Sequence, residues 1–368
     1  MPLQGRQAMT QREIRAVRAW LIAVATLVFA MVIVGGATRL TESGLSITQW
    51  RPVTGVIPPL SQADWAEEFQ RYKQIPQYSA LNADMNLEGF KTIYFWEWSH
   101  RLLARLTGAA FILPALWFWR RGRFKGPLGR QIAVATGLLA LEPIVGWWMV
   151  SSGLAERTEV AQDRLALHLL VAAATFGALI YAAVGLAERP RGSAGAGFVA
   201  GAGVLVALIF CQLGLGALVA GLRAGLIYNT WPLMDGKLIP AGLFGLAPWP
   251  RSIVDDVTTV QFDHRLVAYA VVAAALAYAV AARRRAPGAS LARRAGALAA
   301  LAILQAALGV ATLILVAPIE FALAHQAVAL LLFGMAVAHW RLTQIERAEE
   351  TARVAAPDAR RGRARQAS

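Results

Sequence analysis

Trp96-Glu97-Trp98-Ser99-His100-Arg101-Leu102-Leu103-Ala104-Arg105 sets a histidine at the mouth of an apolar run, with a carboxylate three residues before it. The His-Arg-Leu core returns at Gln261-Phe262-Asp263-His264-Arg265-Leu266-Val267-Ala268-Tyr269, again opening an apolar run, so the chain reads as two copies of one unit. Two more histidines extend the pattern. His168, in Leu165-Ala166-Leu167-His168-Leu169-Leu170, and His325, in Ala322-Leu323-Ala324-His325-Gln326, each fall in the second apolar run after the first histidine of their half.

Working outward, the 368 residues are 57% hydrophobic and only 16% charged, whereas a soluble domain carries roughly 25% charge. The composition is that of an integral membrane protein. Crossing a hydrocarbon core of about 30 Å takes roughly 20 helical residues. Eight stretches qualify, near 17–38, 99–119, 131–150, 164–187, 196–220, 264–282, 296–317 and 320–340. The first reads as a retained span, because no small-x-small cleavage site follows its apolar run. The one cysteine, Cys211, lies within the fifth run, which excludes internal disulfides and thiolate metal sites.

The net charge of +14 is explained by its placement rather than by nucleic acid. Basic residues gather in the N-terminal tail (Arg6, Arg12, Arg15, Arg18), between Arg120 and Arg130, at Arg189 and Arg191, between Arg283 and Arg294, and from Arg341 onward. With eight spans all of these share one side, which holds about 23 basic against about 6 acidic residues, and positively charged loops stay inside. Both termini are therefore expected in the cytoplasm. The expected organisation is a cytoplasmic tail (1–16), a four-helix half (17–190) with a long outer loop (41–95), a second four-helix half (191–341) and a basic disordered tail (342–368).

The halves echo one another beyond the histidines. Trp50-Arg51-Pro52-Val53-Thr54-Gly55-Val56-Ile57-Pro58 resembles Trp231-Pro232-Leu233-Met234-Asp235-Gly236-Lys237-Leu238-Ile239-Pro240, and Leu141-Glu142-Pro143-Ile144-Val145-Gly146 matches Leu304-Gln305-Ala306-Ala307-Leu308-Gly309. The expected fold is all-α: eight transmembrane helices as two tandem, pseudo-symmetric four-helix bundles. Residues Asp64 to Tyr72 form an amphipathic stretch, expected as a short helix along the outer surface.

In that topology the second, fourth, sixth and eighth spans all enter from outside, each with its histidine one or two turns in. His100 with His168, and His264 with His325, can then offer paired imidazoles to a planar group, the geometry of bis-histidine haem ligation. A single such histidine is ordinarily an interfacial polar residue; two matched pairs among five histidines are not. No carboxylate or thiol set completes a shell for a bare metal at either pair. Arg39, Arg101, Arg164, Arg223 and Arg265 stand at outer helix ends, where they are candidates for propionate contacts and equally for snorkelling. The fifth histidine, His339, reads as interfacial.

The halves differ in acid content. Glu97 lies one turn before His100 on the same face, and its mate is the neutral Gln261, which places chemistry in the first half. The bland reading of Glu97 is a helix-start cap. Glu142, whose mate is Gln305, is an ionisable group in mid-span that costs about 2.5–3.5 kcal/mol unless paired; it is either a proton handler or a protonated packing residue.

These residues resemble the haem A synthase family. The resemblance covers about 20 to 340 and rests on Gly35-Gly36-Ala37-Thr38-Arg39-Leu40-Thr41 with Gly44-Leu45-Ser46, Glu97-Trp98-Ser99-His100-Arg101, Gly146-Trp147-Trp148-Met149-Val150-Ser151-Ser152-Gly153-Leu154, Tyr228-Asn229-Thr230-Trp231-Pro232-Leu233-Met234-Asp235-Gly236, Phe262-Asp263-His264-Arg265 and His325-Gln326. It implies oxidation of the porphyrin C8 methyl of haem O to a formyl group, giving haem A for terminal oxidases, with water as oxygen source. It implies that His100 and His168 flank haem O, that Glu97 is the essential carboxylate, and that His264 and His325 hold a resident haem b. It also implies a multi-pass protein of the bacterial inner membrane, working in the lipid bilayer with an electron acceptor the sequence leaves unnamed. A haem O synthase, oxidase assembly factors and self-association remain open as partners. The chain departs from one branch of the family in lacking its outer-loop cysteine pair, and carries Glu142-Pro143 where Gln-Gly is commoner. The competing expectations are a b-type cytochrome that only moves electrons and a transporter with duplicated halves.

Overall fold

A computed structural model describes residues 9–187, 192–285 and 288–366. Arg6, Arg189 and Arg191, used above for orientation, lie outside the described residues. The helices run in the order α1 (Gln11–Leu40), α2 (Gln62–Tyr72), α3 (Pro76–Leu81), α4 (Leu87–Arg120), α5 (Gly126–Ser151), α6 (Gln162–Gly185), α7 (Ala196–Gly221), α8 (Ser252–Asp255), α9 (Val257–Arg285), α10 (Ser290–Ile314) and α11 (Ile319–Gln366). Eight of them, α1, α4, α5, α6, α7, α9, α10 and α11, are long and apolar enough to cross a bilayer. The all-α class and the eight spans agree with the sequence reading.

Local chemistry sets the helix starts. Thr10 and Glu13 form a capping box ahead of α1, Ser61 and Asp64 form another ahead of α2, and the Asn86 side chain accepts from Gly89 N at the start of α4. That last cap corrects one expectation. His100 is not at the mouth of its helix, because α4 begins at Leu87 and its first turns stand clear of the span. They are held there by Phe90 and Tyr94, which pack on Trp65, Phe69 and Tyr72 of α2. The amphipathic stretch is thus a helix with one face buried, as expected of it.

The core is continuous across both halves. α6 and α11 pack together in the middle, with α1 against both and α7 against both; α4 and α5 flank one side, α9 and α10 the other. At the centre two rings interlock. Phe333 of α11 lies where a Cβ on Gly177 would come within 2.9 Å of it, and Phe176 of α6 lies where a Cβ on Gly334 would come within 2.6 Å. Only glycine lets the backbones approach this closely. Beside them, Gln326 Nε2 donates to the Val32 carbonyl of α1 at 2.6 Å and its amide rests on Gly36.

Two further expectations change at the end of the bundle that carries the chain termini. His339 is buried rather than interfacial: it meets the Tyr278 hydroxyl at 2.9 Å and Arg294 Nε at 3.3 Å. The second concerns the tail expected from 342, of which residues 367 and 368 lie outside the described residues. α11 continues as helix, with Thr343 and Glu346 buried and both Glu346 oxygens 2.9 Å from Arg294. The physical reason is the half-buried Arg294, which the fully buried Glu346 carboxylate neutralises.

Candidate functional site

At the opposite end of the bundle the structure brings the matched residues together in two clusters. His264 of α9 and His325 of α11 face each other with ring centroids 6.5 Å apart. Two metal–imidazole bonds of roughly 2 Å plus half a ring on either side come to about 6 Å, so the pair fits a porphyrin iron between them. Each ring backs onto a glycine of a neighbouring helix: a Cβ at Gly216 of α7 would lie 3.2 Å from His264, and one at Gly309 of α10 would lie 2.8 Å from His325.

Two amides hold the rings. Gln212 Nε2 is 3.0 Å from His264 Nδ1, and Gln305 Nε2 is 3.0 Å from His325 Nδ1, while both amide oxygens are buried without a partner. Gln212 Nε2 also donates to the His264 backbone carbonyl at 3.0 Å, so this amide ties ring and backbone together. Two imidazoles at this spacing are the donor set that suits a haem.

The first half repeats the plan with different chemistry. His100 of α4 backs onto Gly35 of α1 and His168 of α6 onto Gly146 of α5; a Cβ at either glycine would lie 3.1 Å from the imidazole. No ring contact of the kind joining His264 and His325 is made between them. Where Gln305 stands beside His325, Glu142 stands beside His168, its Oε2 2.7 Å from Nδ1. The contact is close but lacks hydrogen-bond geometry, and His168 Nδ1 and Glu142 Oε1 are both buried without a hydrogen-bond partner. Glu142 is thus paired with a haem-ligand candidate, not merely packed beside Pro143.

Glu97 is buried, and its Oε1 accepts from Arg101 Nε at 2.6 Å. Arg101 in turn donates to the carbonyls of Gln49 (3.0 Å) and Ile47 (2.9 Å). Arg265 does the same in the second half, donating to Thr230 O at 2.9 Å and Tyr228 O at 2.7 Å, with Gln261 Oε1 at 3.2 Å in place of Glu97. Each arginine therefore straps the histidine-bearing helix to the loop that precedes it. In the second half Gln261 Nε2 reaches the Ala224 carbonyl at 2.7 Å, a donor bond that an ionised Glu97 is unable to copy.

The remaining arginine candidates are already engaged. Arg164 donates to Trp148 O at 2.8 Å and lies over the Trp148 ring. Arg39 pairs with Glu159 at 2.5 Å; Arg223 pairs with Glu42 at 2.5 Å and also with Glu159. Burial lowers the Arg223 pKa, but its bonds to the two carboxylates outweigh this and the guanidinium is held above its ordinary value. Arg39, Arg223 and Arg265 each keep a buried Nε with no partner, a donor suited to a propionate. Sequence reasoning missed Gln212, Glu42, Glu159 and the four histidine-facing glycines. A signal existed only for the glycines, which sit in both copies of the matched helices.

Comparison with known proteins adds an independent finding. Residues 18–337 match the sequence profile of a family described as cytochrome oxidase assembly protein. A protein named Heme A synthase from Rhodopseudomonas palustris (strain BisA53) is 54% identical over 328 residues, covering 89% of this chain and 90% of its own length. Heme A synthases from Mesorhizobium japonicum, 53% identical with the same coverage, and Brucella ovis, 49% identical over 93% of this chain and 96% of its own, are similar throughout.

Proposed function

The chain belongs to the cytochrome oxidase assembly protein family, among its haem A synthases, and is an oxidoreductase that converts haem O to haem A; from this premise we propose which residues carry the reaction. The first half is the substrate site, with haem O between His100 and His168. The second half holds a resident haem b between His264 and His325. The observation that carries this assignment is the single buried carboxylate, Glu97, strapped beside His100, against the neutral Gln261 beside His264.

The conversion turns a methyl carbon into an aldehyde. With water as the oxygen source, the methyl group and one water give the formyl group, four electrons and four protons, through an alcohol and a gem-diol that loses water. A haem b held by His264 and His325 would supply a one-electron relay toward an acceptor. Glu97 meets the other demand. One oxygen is held by Arg101, and the carboxylate takes up the proton of the attacking water and offsets positive charge developing on the methyl carbon. A cavity of about 300 Å³ lined by Gln49, Arg51, Tyr94, Arg101 and Arg105 opens above this pair and supports a supply of water from the loop end. Glu142 and the glycine behind each histidine orient the ligands. The reciprocal Phe176–Gly334 and Phe333–Gly177 contacts support two copies related by a twofold axis. The charge asymmetry supports termini on the cytoplasmic side of a bacterial inner membrane.

The test is co-expression with a haem O synthase in a host without haem A, followed by analysis of extracted haems. Haem A, or its hydroxylated precursor, is expected from the wild type and neither from Glu97→Gln, which still binds haem. Haem A at wild-type levels from Glu97→Gln would remove Glu97 from the chemistry.

A further inference from the structure

The two flanks of the bundle are built differently. α9 and α10 pack along one another, whereas α4 and α5, joined by only five residues (121–125), do not. Residue size differs between the flanks. On the closed flank the buried residues include Ala275, Ala279 and Ala282 on α9, and Ala292, Ala295, Ala299 and Ala302 on α10, alongside Val271, Tyr278, Leu291 and Leu298. In the register that matches His100 to His264 and Glu142 to Gln305, the three α9 alanines correspond to Phe111, Ala115 and Phe118, and the last three α10 alanines to Ile132, Thr136 and Leu139. Small residues let helix backbones approach; at the matching positions α4 carries Phe111 and Phe118, whose rings pack on Trp20 of α1.

Prolines add to the contrast: Pro114 lies inside α4 and Pro143 inside α5, where the second half has Tyr278 and Ala306. Val272 packs on the core in the second half; its counterpart Gly108 faces open space, and so does Gly137 of α5. From Leu106 to Trp119 and from Ile132 to Leu141 neither helix carries a charge, and Leu113 and Val134 are exposed. The same two helices carry His100 on one wall and Glu142 and Gly146 on the other, so the separation leads to the substrate pair.

We propose that the space between α4 and α5 is a lateral seat for the farnesyl chain of haem O, and the side by which the substrate passes between bilayer and the His100–His168 pair. The inference rests on the first half being the substrate site. The occupant follows from the asymmetry: the half assigned to a porphyrin bearing a long apolar chain is open to lipid, and the half assigned to haem b, which has no such chain, is closed. An apolar chain left in the bilayer-facing seam avoids burial inside a bundle whose core is already filled, and it orients the ring as it enters.

The experiment tethers the seam. In a Cys211→Ser background, Ala115→Cys with Thr136→Cys is bridged by a bis-maleimide containing a reducible link, and Ala279→Cys with Ala299→Cys is bridged across α9 and α10 as control. Haem O and haem b are added in turn to the purified full-length protein and uptake is followed by absorbance. The α4–α5 tether is expected to slow haem O uptake at least tenfold, to leave the haem already in the second half unchanged, and to be reversed on reduction; the control tether is expected to do nothing. Gly108→Phe, which fills the open space without a reagent, is expected to act in the same direction. Unchanged haem O uptake with the tether in place and with Gly108→Phe would overturn the proposal and leave the seam to membrane lipid alone. Uptake without conversion in the untethered protein would instead count against the assigned reaction, and the seam would still be judged by uptake.

Discussion

Gly309→Ala isolates the role of the glycine behind His325. The added Cβ would lie 2.8 Å from His325 Cε1, where ordinary contacts begin at 3.4 Å, so ring or helix has to move by about 0.6 Å. A metal–imidazole bond tolerates roughly 0.2 Å. Overpacking of this kind costs about 1–3 kcal/mol, which at 1.4 kcal/mol per decade weakens haem binding in the second half by roughly 5- to 140-fold. Helix propensity acts the other way, since alanine stabilises a helix interior by about 0.5–1 kcal/mol over glycine. Lost haem is therefore not attributable to a weaker α10. The assay is haem content and the bis-histidine absorbance spectrum of the purified protein, with Gly137→Ala, which meets nothing within 4 Å, as control. Gly216→Ala, at 3.2 Å, is expected to have a smaller effect. Gly309→Ala with full haem and an unaltered spectrum would refute the reasoning.

Three other outcomes are expected. Glu142→Gln puts beside His168 the same amide that Gln305 puts beside His325, and should hold haem O binding within a few-fold. Glu142→Leu removes the carboxylate beside His168 and should weaken binding in a haem O titration by up to the roughly 10- to 140-fold that a bond of about 1.5–3 kcal/mol to a charged group supplies. Arg101→Ala should lower thermal stability in detergent more than Arg265→Ala, because the first leaves buried Glu97 uncompensated, a defect of about 3–5 kcal/mol, while the second leaves the neutral Gln261. Glu346→Leu should likewise destabilise by about 3–5 kcal/mol through unpaired Arg294, and Arg294→Met in the same chain should recover most of the loss; equal melting temperatures for single and double variants would contradict the buried-pair account.

The spans were legible because a bilayer demands long uncharged runs, and the matched histidines because the sequence repeats them. The contrast of Glu97 with Gln261 was legible for the same reason. What escaped has no echo or no local signature. The position matching Gln212 is the apolar Met31, so nothing flags that glutamine as a histidine partner. Glu42, Glu159, Arg39 and Arg223 come from separate segments and meet only through tertiary packing. The glycines that touch imidazoles look, in sequence, like any small residue that lets membrane helices approach. His339 looked interfacial because it stands near a span end, and its neighbours Tyr278 and Arg294 come from two other helices.

The interlocked rings at the centre bear on how such a chain is able to change. Phe176 and Phe333 each occupy the notch the other copy vacates, so a larger residue at Gly177 or Gly334 wedges both halves at once. Neither half keeps a finished surface if parted from its twin, and a split protein would display two unfilled notches to the solvent of hydrocarbon tails. Differences between the halves such as Glu97 against Gln261 lie towards the rim, away from this shared axle.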